Sequence, residues 1–112
     1  MKLIVTLNGE AKNACPLTAG VYVLGPNPIC DKSHWLKYPS SKHAIWYSKE
    51  RGGFWAIGPK SYIGSAICSL LSYDDVVGPE RVNAAKFFLS SSNFLASSDK
   101  LESLENLLIC WI

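Results

Sequence analysis

Hydrophobic and polar positions alternate over short stretches in the first sixty residues of this chain. Residues 2–7 (KLIVTL) are rich in β-branched and aliphatic side chains and stop at Asn8-Gly9, which predicts a strand. Residues 20–24 (GVYVL) predict a second strand, with Val21 and Val23 on one face and Tyr22 and Leu24 on the other. Gly25-Pro26-Asn27-Pro28 ends it, because proline lacks the donor a ladder needs. Residues 34–38 (HWLKY) alternate again and predict a third strand, closed by Pro39-Ser40-Ser41-Lys42.

The pattern is densest in residues 44–58, which read AIWYSKERGGFWAIG. Two aromatic runs flank Glu50-Arg51-Gly52-Gly53, the arrangement of a β-hairpin. Taking those four residues as the loop sets Lys49 opposite Phe54, Ser48 opposite Trp55 and Trp46 opposite Ile57. Alternation then places Trp46, Ser48, Trp55 and Ile57 on one face, and Ile45, Tyr47, Lys49, Phe54 and Ala56 on the other. Gly58-Pro59 ends the hairpin.

Beyond residue 60 the pattern changes. Residues 62–73 (YIGSAICSLLSY) mix helical spacing with Gly64 and several serines, and predict a short strand or irregular segment packed across the sheet. Pro79 suits the first position of a helix over 80–89. Asp99 followed by Glu102 resembles a capping box, and Leu101, Leu104, Leu107, Leu108 and Trp111 fall on one helical face. This predicts a C-terminal helix whose apolar stripe covers the sheet. The fold class that follows is α+β. A small antiparallel sheet of about five strands, as a meander or partial barrel, carries one or two C-terminal helices packed on it. All 112 residues form one domain, with residues 1–64 as its sheet part and 65–112 mostly helical or irregular.

Composition sharpens this in two places. Hydrophobic residues make up 48% and charged residues only 18%, so a core forms readily while the surface is poor in charge, as for a domain with a partner or one cut from a larger protein. The net charge of +2 is small, but residues 32–60 carry six basic side chains against Glu50 alone, a local +5, while residues 61–112 carry −3. No stretch approaches the ~20 apolar residues of a membrane helix and no secretory leader is visible, so a cytoplasmic location without membrane contact is expected.

Candidate chemistry is sparse. Cys15, Cys30, Cys68 and Cys110 lack C-x-x-C spacing and are expected to be unbridged thiols without metal. A zinc site drawn from Cys15, Cys30, His34 and His43 would have irregular spacing. A hydrolase would have to use His34 or His43 as its base, and no G-x-S-x-G accompanies them. Asp74-Asp75 reads as turn chemistry, and no Gly-rich phosphate loop or other cofactor pattern is present.

The aromatics cluster where the positive charge does. Interleaved lysines and rings on a sheet can bind single-stranded nucleic acid by phosphate contact and stacking. The candidate binding residues are Tyr47, Lys49 and Phe54, joined by Trp35, Lys37, Tyr38 and Arg51. The expectation is a non-enzymatic binding or protein-interaction module without cofactor. Nucleic-acid or polyanion binding through residues 32–60 is the alternative, and a small hydrolase is a distant third.

The order Gly20-x-Tyr22, Trp35, Ile45-Trp46-Tyr47 and Trp55-x-Ile57-Gly58 resembles short β-rich, non-catalytic repeat modules of large multidomain eukaryotic proteins. The resemblance covers residues 2–64 and implies one small sheet with a binding or spacer role. After Gly64 the chain departs from that pattern.

Overall fold

Strand formation runs further along the chain than its local pattern predicts. The computed structural model describes residues 2–7, 12, 15–65, 67–73, 78–79, 88–89 and 107–111. Eight strands form one antiparallel sheet: β1 (Lys2–Leu7), β2 (Gly20–Leu24), β3 (Trp35–Tyr38), β4 (His43–Ser48), β5 (Phe54–Pro59), β6 (Leu70–Ser72), β7 (Phe88–Leu89) and β8 (Leu107–Trp111). Their order across the sheet is β7-β6-β5-β4-β3-β2-β1-β8. It is a meander, except that the last strand crosses back to pair with the first.

The expected α+β class is therefore corrected to a β-sheet fold. No α-helix of the C-terminal third lies among the described residues. Leu107–Trp111, expected as the end of a capped helix, is β8 and pairs with β1 from Leu3↔Trp111 to Leu7↔Leu107. Phe88–Leu89, expected at the end of a helix, pairs with Leu70 and Leu71 of β6. Residues 80–87 and 99–106, with the Asp99 cap and Leu104, lie outside the described residues. The physical reason is plain for β8. Leu107-Leu108-Ile109-Cys110-Trp111 is an unbroken apolar run, which suits a buried strand as well as a helix. β1 offers it a ladder of backbone hydrogen bonds.

The sheet is curled into a half-barrel. Strands β3 and β8 are three steps apart, about 14 Å on a flat sheet, yet the Trp35 and Trp111 rings meet edge to face at 5.4 Å. The inner face carries one continuous cluster from Ile109 on β8, through Leu3, Val5, Tyr22, Trp35, Ile45, Tyr47, Trp55 and Ile57, to Leu70 on β6. Among the described residues the outer face is covered over β4–β6, with Leu36 of β3 at the margin. There Ala44, Trp46, Phe54, Ala56 and Leu71 pack under Ile63 and Cys68, and the Trp46 indole N–H donates to the Ser65 carbonyl at 3.2 Å.

The β4–β5 register differs by one residue from the expected one. Ser48 lies opposite Phe54, Tyr47 opposite Trp55, Trp46 opposite Ala56 and Ile45 opposite Ile57. Five residues, 49–53, make the turn. Glu50–Gly52 form a 3-10 turn closed by the Gly53 N–H on the Glu50 carbonyl at 3.0 Å. The buried Ser48 hydroxyl accepts the Glu50 N–H at 3.3 Å. A one-residue slip moves every side chain of one strand to the other face relative to its partner. Trp46 and Trp55 are both fully buried, but on opposite sides of the sheet.

Gly53 fixes this turn. Its φ is +96°, and a Cβ there would stand 2.2 Å from the Tyr47 hydroxyl, whereas Gly52, at φ +85°, has open space. Gly53→Ala therefore meets both backbone strain and a clash, and Gly52→Ala meets strain alone. Strain of this kind costs ~1–3 kcal/mol. In denaturant melts Gly53→Ala loses more stability than Gly52→Ala, and Tyr47→Phe restores part of the difference; equal losses would contradict the contact. Trp55→Ala costs ~3–5 kcal/mol by the same measurement, the usual range for an emptied core ring, and a melting point within a degree or two of the parent would contradict its placement in the inner core.

Candidate functional site

Strand direction divides the basic middle of the chain between two ends of the sheet. β3 and β5 run towards one end, where the chain turns at 39–42 and leaves the sheet at 60–62. That end carries Lys37, Lys42, His43 and Lys60. The opposite end carries the 49–53 turn and the 29–32 segment, with Lys32, Lys49, Asp31 and Glu50. Among the described residues, both carboxylates lie at this second end.

At the second end the cations have partners. The Lys49 ammonium donates to the Asp31 carboxylate at 3.1 Å, and that hydrogen bond raises the lysine pKa. The pair is largely exposed, so solvent screening leaves it little weight in stability. The Lys32 ammonium stands 4.8 Å from the Tyr47 ring centroid, a cation–π contact.

The first end is built differently. Tyr38–Pro39 is a cis peptide, and Ser41 takes φ +55°. The Ser41 N–H closes the turn on the Lys37 carbonyl at 2.7 Å, and the Lys60 N–H donates to the Lys42 carbonyl at 2.9 Å. This last bond extends the β4–β5 ladder by one step and sets Lys42 beside Lys60. Pro59 then directs the chain into the 3-10 turn Lys60–Tyr62. Ser41, Lys42, Lys60 and Ser61 line an open depression of about 450 Å³. Among the described residues neither lysine ammonium has a hydrogen-bond or carboxylate partner. Lys37 is committed elsewhere. Its ammonium donates to the Leu17 carbonyl and its Cε lies 3.0 Å from where a Gly20 Cβ would be.

The expected binding residues do not form one surface. Tyr47 and Trp35 are buried in the inner cluster, and Phe54 is fully buried on the outer side. Tyr47, Lys49 and Phe54 are thus not a shared face, because the register moves Phe54 away from Tyr47. Tyr38 is exposed on the outer side, and Lys37 is half-buried at the Leu17 carbonyl. Lys49 is exposed at the other end of the sheet, and the Arg51 side chain lies outside the described residues. Ser41, Lys42, Lys60 and Ser61 went unrecognised as a group. The signal for them was present, since counting outward from the turn in either register brings Lys42 within one residue of facing Lys60.

The histidines and cysteines take structural positions. His34 is buried with its ring over Gly25, where a Cβ would stand 2.1 Å from Nε2. His34 Nδ1 and His43 Nδ1 are buried and have no partner among the described residues. The four cysteines stand as thiols. Burial raises the Cys15 pKa, a hydrogen bond with Thr18 partly opposing it, which disfavours the thiolate a nucleophile needs. Burial, with Cys15 adding to it, also raises the pKa of Tyr22, whose hydroxyl donates to the Thr18 carbonyl at 2.6 Å. Among the described residues no three His, Cys, Asp or Glu side chains gather where they could hold a metal, and no helix is long and apolar enough to cross a membrane. No protein-family model, curated protein or solved structure matches this chain.

Loss of hydration, and secondarily the positive charge of Lys37, lowers the His43 pKa from the ordinary 6.5. Below that value the unfolded chain binds a proton that the folded chain resists. Stability at this residue is therefore complete above pH 6.5 and declines as the pH falls through that value towards the lowered one. The imidazole resonances of His43 titrate with a midpoint below 6.5, and His43→Gln flattens this part of the stability profile. A midpoint at or above 6.5 would contradict the burial assigned to the ring.

Proposed function

We propose that this chain is a non-enzymatic binding domain whose ligand is a polyanion, engaged at the Lys42–Lys60 end of the sheet. The observation that carries this reading is the separation of charge. The described carboxylates lie at the opposite end, while Lys42 and Lys60 share an open depression with no partner among the described residues. The stacking part of the expectation changes. Trp35, Trp46, Phe54 and Trp55 are core residues, and among the exposed rings Tyr38 and Tyr62 each stand next to a segment that lines the depression. The site is therefore electrostatic first, and sequence-tolerant towards nucleic acid.

A protein partner is the second reading, favoured by one observation. The outer side of β1–β3 leaves Ile4 and Tyr38 exposed, whereas the outer side of β4–β6 is covered.

Salt separates the two readings, because phosphate contacts release counterions and an apolar interface does not. Fluorescence anisotropy with a single-stranded oligonucleotide and with polyphosphate checks this. Two phosphate contacts predict roughly a ten-fold loss of affinity between about 50 and 200 mM salt. Absence of binding at the lower concentration would contradict the polyanion reading.

A further inference from the structure

We propose that the depression lined by Ser41, Lys42, Lys60 and Ser61 is a discrete site for one dianionic phosphate group of the monoester type; this rests on, and narrows, the polyanion reading. Four features carry it. Two lysines from two different chain segments line the depression. The Lys60 N–H to Lys42 carbonyl hydrogen bond of 2.9 Å holds their backbones together. Each lysine has a serine as its neighbour on the lining, Ser41 before Lys42 and Ser61 after Lys60. The turns on both sides are pinned, Ser41 by its N–H on the Lys37 carbonyl at 2.7 Å and Lys60–Tyr62 by the Ile63 N–H on the Lys60 carbonyl at 3.1 Å.

The chemistry of the donors selects the ligand. Two like charges lining one depression repel, and no described carboxylate lies there to offset them. A phosphate monoester carries about −1.5 to −2 near neutral pH and three strong acceptor oxygens. It matches two ammonium charges and leaves acceptors for two hydroxyls. A carboxylate brings a single charge and two oxygens, which would leave one lysine uncompensated. Lysine, as a compact point charge with three donors, suits phosphate without demanding a planar fork. The depression is open, so a phosphate at the end of a larger molecule reaches it without any opening of the sheet.

The test is a chemical-shift titration of the full chain at neutral pH with inorganic phosphate, compared with acetate at equal ionic strength. Phosphate shifts the amides of residues 41–43 and 59–62 saturably, and acetate binds at least ten-fold more weakly. Lys42→Gln and Lys60→Gln each weaken phosphate at least five-fold with melting unchanged, and Lys49→Gln, at the far end, leaves it unaltered. Shifts that grow linearly without saturation, that appear equally at residues 31–32 and 49–50, or that acetate reproduces would overturn the site. A single-stranded oligonucleotide with and without a terminal phosphate forms the second arm. Tighter binding of the phosphorylated strand, lost in Lys60→Gln, supports the monoester assignment, and equal binding of both strands overturns it. Saturable phosphate with no polyanion binding would leave the site standing and remove the polyanion function. Salt-sensitive polyanion binding with no localised phosphate shifts would do the reverse.

Discussion

The register of the β4–β5 hairpin is the constraint on which the rest of the molecule depends. The five-residue turn sets Tyr47 against Trp55, their rings edge to face at 5.5 Å, and Gly53 leaves the space that the Tyr47 hydroxyl occupies. From that pairing follows the division of the aromatics. Tyr47 and Trp55 join the inner cluster, while Trp46 and Phe54 go under Ile63 and Cys68 outside. Each face then has rings to bury, and the curl of the sheet and the outer cover supply the burial. The same register, extended one step beyond His43 and Pro59, brings Lys42 beside Lys60. Core and candidate site are thus two ends of one ladder.

The aromatics and lysines that lie close in sequence separate in space because strands alternate. Residues 32–60 look like a single basic aromatic surface when read along the chain. Folding sends the large rings inward and distributes the cations to the strand ends, where hydrated ammonium groups belong. At one end they meet Asp31 and the Tyr47 ring. At the other, Lys37 is taken up by the Leu17 carbonyl while Lys42 and Lys60 have no hydrogen-bond or carboxylate partner among the described residues, and that asymmetry supports the proposed ligand.

Much of the sheet was legible in the sequence. Strands β1 to β5 lie within a residue or two of where alternation and the Gly-Pro stops put them, because these are local signals. The faces of the hairpin were not legible. Gly52-Gly53 marks the turn, but whether Lys49 belongs to the strand or to the loop depends on the Ser48 and Glu50 hydrogen bonds of the 3-10 turn. That single residue exchanges the β5 side chains between the two faces relative to β4. The C-terminal strand was hidden for a different reason. The leucine spacing before Trp111 fits a helix locally, and only pairing with β1, some hundred residues earlier, makes Leu107–Trp111 extended. Non-local pairing overrides local preference in this way. The candidate site was half visible, since the excess of lysines could be counted but their meeting at residues 42 and 60 needed the ladder.

Proton–proton Overhauser contacts between the aromatic rings of the hairpin test the register most directly. The account predicts contacts between the ring protons of Tyr47 and Trp55, and none between Trp46 and Trp55. Strong Trp46–Trp55 ring contacts, with none from Tyr47 to Trp55, would put both tryptophans on one face. They would undo the account of both the core and the lysine-lined depression.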